Sequence, residues 1–178
     1  MVKGSDYQGK PIVGEQYCKE IRFYEHTGHS TIGDSCIDEY KIGTVDRLSP
    51  EAPVPVIRIV DTEQLPGMAA NVKINLENLG ITPDFITNDA QILKTRYIDQ
   101  RSGQHMLRVD SEPAVPEWCG KTSLAIDEYD AIIISDYNKG FLSYEKIEEL
   151  ICSTDCPVFI DTKKPDLDRF SSDRVWIK

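Results

Sequence analysis

Three groups of residues in this sequence have types and spacing that could do chemistry. Acids stand where apolar strands run out: Asp34 after Gly33, Asp136 after 131–135, and Asp161 after 158–160. Ligands of open α/β sheets gather at such carboxyl ends. A glycine, Gly67, stands at the mouth of an apolar helix pattern. Free N–H groups and a missing Cβ there let a ligand approach the backbone. The same pattern also fits a tight turn before an ordinary buried helix. Lys94, Arg96 and Arg108 lie on either side of a connection containing Gly103. They are either anion partners or the polar face of a solvated hairpin.

The elements that would position these residues can be read from period and punctuation. Ala69, Val72, Leu76 and Leu79 form a helical stripe that ends at Gly80, with Pro83 just beyond. Segments 44–48 and 54–60 read as extended, joined through Pro50, Pro53 and Pro55, which fix φ and remove amide donors. Prolines confine that stretch to an edge strand or a rigid flap, or simply to an acidic surface loop. Residues 84–87 are a short strand candidate, and 94–99 with 105–109 a hairpin. The continuous apolar runs 131–135 and 158–160 suit strands buried on both faces. Between them a helix is capped by Ser143, with Tyr144, Ile147, Leu150 and Ile151 on its apolar face. This makes a right-handed βαβ unit, and 174–178 is one more strand. Residues 29–32 hold one strong apolar side chain, Ile32, so either the strand entering Gly33 is weak or the N-terminal segment is a replaced or misassigned one.

The chain has 178 residues, enough for one domain with a core, and a net charge of −10 from 30 acids and 20 bases. That balance argues against nucleic acid and anionic membranes as partners. A phosphate ligand needs only two or three local cations and stays open. No apolar run reaches membrane-spanning length and no signal-peptide core is seen, so a cytoplasmic location is expected. The cysteines number five, with no C-x-x-C pair, which favours reduced thiols over a disulfide frame or a zinc ribbon. His26 and His29 form a weak metal candidate without further ligands at suitable spacing.

The stretch G-D-S-C-I-D-E-Y-K-I-G-T-V-D-R-L-S-P-E-A-P-V-P-V over 33–56 resembles the opening of PfkB/ribokinase-family sugar kinases. It is most similar to the heptose 7-phosphate kinase branch. Further matches follow in order: P-G-M-A-A-N at 66–71, K-T-R at 94–96, Gln104, Arg108 with Asp110, S-D-Y-N-K-G at 135–140, and Asp161 with Lys163. Met68 stands where the family usually has a second glycine, and Asn138 where it has another. The likeness covers residues 31–178.

The resemblance implies an α/β fold: a ribokinase-like parallel core, truncated C-terminally, with a small antiparallel β lid at 44–65 and 94–110. Residues 1–32 are an unassigned segment and 33–178 a partial kinase domain. It implies transfer of phosphate from ATP, with Mg²⁺, to a hydroxyl of a sugar phosphate. Asp38 and Asn71 would hold sugar hydroxyls beside Gly67. Lys94, Arg96, Arg108 and Lys139 would lie near the sugar's phosphate. Two copies would pair through the lid. The family's catalytic G-A-G-D segment and its magnesium-linked N-x-x-E are absent from these 178 residues. The expectation is therefore the sugar-binding half of a kinase, with no metal or nucleotide site of its own and no turnover alone. The chain would then be a truncated gene product, a fragment of a longer reading frame, or one piece of a split enzyme whose separate C-terminal half supplies the rest. The alternatives are a non-catalytic sugar-phosphate binder or a remnant protein.

Overall fold

The computed structural model describes residues 28–120 and 129–178 in full and the backbone of 2–4 and 22–24. His26 and most of the unassigned 1–32 segment lie outside the described residues. Strands β1 (Val2–Gly4) and β2 (Arg22–Tyr24) pair in parallel.

A five-stranded parallel sheet forms the core. Its members are β3 (His29–Gly33), β6 (Asp84–Ile86), β9 (Ala131–Asp136), β10 (Val158–Thr162) and β11 (Val175–Ile177), in the order β11-β10-β9-β3-β6. Helix α2 (Tyr144–Cys152) covers one face. Ser143 accepts a hydrogen bond from the Lys146 amide at its start, and Ile147, Leu150 and Ile151 are buried against Ile132, Ile134, Val158 and Ile160. Phe170, in a 3-10 turn, completes that layer.

The strand at 29–32, expected to be weak or misassigned, is instead central. β3 pairs with β9 on one side and β6 on the other. Ser30 and Thr31 are buried, and their hydroxyls have no hydrogen-bond partner among the described residues. The strand keeps its place through two neighbours and close approach rather than apolar content. A Cβ on Gly33 would lie 1.9 Å from the Ser135 carbonyl oxygen.

The second sheet has the order β5-β4-β7-β8, from β4 (Ser35–Leu48), β5 (Pro55–Met68), β7 (Ile92–Asp99) and β8 (His105–Ser111). It contains the proline-bearing segment, which stays out of the core sheet. It is mixed, where an antiparallel lid was expected. β4–β5 and β7–β8 are antiparallel, but β4 and β7 run parallel. The reason is the crossover. After β5 the chain passes through α1 (Ala69–Asn78) and β6, then returns beside β4 in the same direction. Gly80 ends α1 with φ +84°, and Gly103 turns the β7–β8 hairpin with φ +68°.

Candidate functional site

Register brings the charged residues of the second sheet together. Asp38 stands opposite Lys94 and Tyr40 opposite Arg96 across β4–β7. β8 adds Asp110 opposite Lys94 and Arg108 opposite Arg96. Period-two alternation puts all six on one face. At the end of that face β5 runs straight into α1. A cavity of about 420 Å³ opens there, lined by Asp38, Tyr40, Gly67, Met68, Asn71 and Tyr137. Gly67 leaves room at this point for the Asp38 carboxylate and the Cys36 sulfur, which a Cβ there would displace. Burial pushes the Cys36 thiol up to about 11, which keeps it protonated and unreactive.

The expected basic residues differ in their partners. Arg96 Nη1 donates to Asp38 Oδ1 at 2.6 Å, and its guanidinium lies 5.2 Å from the Tyr40 ring. Arg108 grips Asp110 with two hydrogen bonds of 2.7 Å. Lys139 Nζ donates to both Glu112 carboxylate oxygens, at 2.7 and 2.8 Å. Lys94 alone of the four has no carboxylate partner among the described residues. Its ammonium lies 3.5 Å from Met68 Sδ and 5.9 Å from the Tyr137 ring centroid. The structure thus gathers Asp38, Gly67, Asn71, Lys94 and Arg96. None of the four basic residues lines the cavity itself: Lys94 reaches its wall through Met68 and Arg96 through Asp38, while Arg108 and Lys139 are engaged by Asp110 and Glu112. Tyr137 lines the cavity without having been singled out in the sequence, although it belongs to the S-D-Y-N-K-G run.

That run is a turn built around two buried carboxylates. Asp34 accepts from the amides of Tyr137 at 2.8 Å, Lys139 at 3.4 Å and Phe141 at 3.4 Å. Asp136 accepts from the Asn138 amide and the Thr162 hydroxyl, and is ion-paired to Lys164 at 3.0 Å. Asn138 sits at φ +56°, a conformation asparagine tolerates. Lys164 Nζ also donates to Asn138 Oδ1. Both acids are therefore committed to the turn that places Tyr137 at the cavity, and neither is free to act as a base. Asp161 is half-buried, with Lys178 Nζ at 3.6 Å.

Burial raises the Asp34 carboxyl above its ordinary value, opposed by the amides of Lys139 and Tyr137 and reinforced by nearby Asp136. A raised native pKa means that the folded state binds the proton more readily than the unfolded chain. Stability from this group then increases as pH falls through the folded pKa, the reverse of a salt-bridged acid. Urea unfolding from pH 7 down to pH 4 checks the sign. The wild type is expected to gain stability relative to Asp34→Asn on acidification, and a flat or opposite difference would refute it.

Among the described residues no group of three or more His, Cys, Asp or Glu could hold a metal ion. Two larger clefts, of about 590 and 840 Å³, flank the 87–91 loop, and among the described residues no lysine or arginine lines either. No described helix is long and apolar enough to cross a membrane.

No protein-family model matches the chain. It is 35% identical over 174 residues to the bifunctional protein HldE of Hydrogenovibrio crunogenus, covering 79% of this chain and 36% of that one. The HldE protein of Aliivibrio salmonicida is 31% identical over 182 residues, covering 83% and 38%. The chain spans just over a third of the length of these curated relatives. Among solved structures, phosphofructokinase-2 from Escherichia coli in complex with potassium superimposes with a TM-score of 0.50 at 12% identity, covering 79% of this chain and 56% of that one. A microbiome-derived acarbose kinase gives 0.50 at 11%, covering 85% and 61%.

Proposed function

We propose that this chain, whose homologues are the HldE bifunctional proteins and whose fold is ribokinase-like, is the sugar-binding part of an ATP-dependent heptose 7-phosphate kinase. One observation carries the reading: Lys94, a half-buried ammonium with no carboxylate partner among the described residues, rests on Met68 at the wall of a cavity lined by Asp38 and Asn71. An unpaired cation beside hydrogen-bonding side chains suits a ligand with both an anionic group and hydroxyls.

In this reading the Asp38 carboxylate accepts sugar hydroxyls while Arg96 holds it in place, and Asn71 donates and accepts from the first turn of α1. Lys94 takes the sugar's phosphate. Tyr137 and Met68 supply the apolar wall. Arg108 and Lys139 are secondary, because Asp110 and Glu112 already neutralise them. ATP and Mg²⁺ belong to the complete enzyme. They would be held by a C-terminal half, joined to this part or separate, in the cytoplasm. Exposed Ile59, Val60, Met106, Leu107 and Val109 on the second sheet support pairing of two copies there. Light scattering of the chain is expected to report a dimer, and a strict monomer at high concentration would count against the pairing.

Calorimetry with heptose 7-phosphate tests the site. Leaving sugar hydroxyls unpaired costs about 1–3 kcal/mol per lost partner, so Asp38→Ala is expected to weaken binding roughly tenfold or more. Unchanged affinity in the folded variant would remove Asp38 from the site.

A further inference from the structure

Met68 has a backbone that suits glycine. Its φ is +59° and ψ −130°, on the last residue before α1. Side chains other than glycine's rarely adopt that region, and such outliers persist where the surroundings hold them for a purpose. The surroundings here are specific. The Met68 side chain is 7% exposed, packs with Cys36 and Ile92, and lines the cavity beside Asn71 and Tyr137. Its sulfur is the only hydrogen-bonding partner of the Lys94 ammonium among the described residues. A thioether is a weak acceptor that does not neutralise the charge.

We propose that Met68 is a specificity-determining residue that fills one end of the cavity and seats Lys94 facing it. The cavity therefore admits a slim sugar phosphomonoester and refuses one with a bulky substituent on the ring. This rests on the sugar-phosphate reading above and goes beyond it by naming what sets the size limit. A glycine at 68 would suit the backbone and enlarge the cavity. A leucine would keep the bulk and lose the sulfur.

The test uses the full chain with Met68→Gly and Met68→Leu, each checked for folding by circular dichroism. Affinities for heptose 7-phosphate and N-acetylglucosamine 6-phosphate are measured by calorimetry. Wild type and Met68→Leu should prefer the heptose phosphate. Met68→Gly should lose that preference by about tenfold, the scale set by small volume changes in a pocket. An unchanged ratio in folded Met68→Gly, or an equal change in Met68→Leu, would overturn the size limit.

A second measurement needs no sugar. With ¹³C-methyl methionine, the Met68 signal, assigned by its loss in Met68→Leu, should move on titration with inorganic phosphate in the wild type and stay still in Lys94→Met. A signal that never moves, or moves equally in both, would overturn the seating of Lys94. If phosphate moves the signal but neither sugar phosphate binds, the seating stands, while the kinase reading and the size limit that rests on it fall.

Discussion

Lys164→Met should destabilise the protein by about 3–5 kcal/mol, because it leaves one charge of a buried pair uncompensated. The Lys164 and Asp136 side chains are 3% and 0% exposed and 3.0 Å apart. The pair joins the ends of β10 and β9, and through Asn138 it holds the turn that carries Tyr137. Taking both charges out of water is costly, and good geometry with further hydrogen bonds offsets it. Without the ammonium, the Asp136 carboxylate keeps, among the described residues, only the Thr162 hydroxyl and the Asn138 amide. Urea unfolding should show the full loss at pH 7. The double variant Lys164→Met with Asp136→Leu should recover part of it, since no lone charge is then buried. A single variant within about 1 kcal/mol of wild type would mean that the ion pair is solvated, contrary to the account.

Lys164 also marks a limit of reading the sequence. The D-x-K match drew attention to Asp161 and Lys163, and Lys163 is exposed. Alternation along β10 pointed elsewhere: Val158, Ile160, Thr162 and Lys164 share a parity, and the first two are core. The apolar runs at 131–135 and 158–160, the Ser143 cap and the left-handed Asn138 were legible because burial on both faces and local turn chemistry leave strong patterns. The central place of β3 was not legible. Ser30 and Thr31 break the apolar run, and their burial depends on strands remote in sequence. The parallel pairing of β4 with β7 was hidden for the same reason, since it follows from the crossover through α1 and β6.

Of the candidate site, Asp38, Gly67 and Asn71 meet at one cavity because strand register and helix position constrain them. The basic residues could not be ranked from sequence. Whether a basic residue is free or neutralised depends on which acid its side chain reaches in the folded chain. Asp110 sits two residues beyond Arg108 on one strand, and Glu112 reaches Lys139 from 27 positions away. Only the folded chain shows that Lys94 is the cation left over.

The central claim is that Lys94 meets the phosphate of a sugar phosphate beside Asp38 and Asn71. A charged hydrogen bond of this kind contributes about 1.5–3 kcal/mol, a factor of roughly ten to a hundred in affinity. The most direct measurement is calorimetric titration of wild type and Lys94→Met with heptose 7-phosphate and with unphosphorylated heptose. The expected result is tight binding of the phosphorylated sugar by the wild type and a loss of at least tenfold in Lys94→Met. The weaker binding of the unphosphorylated sugar should be the same in both. Equal affinity of the two proteins for heptose 7-phosphate, or no binding by the folded wild type, would contradict it.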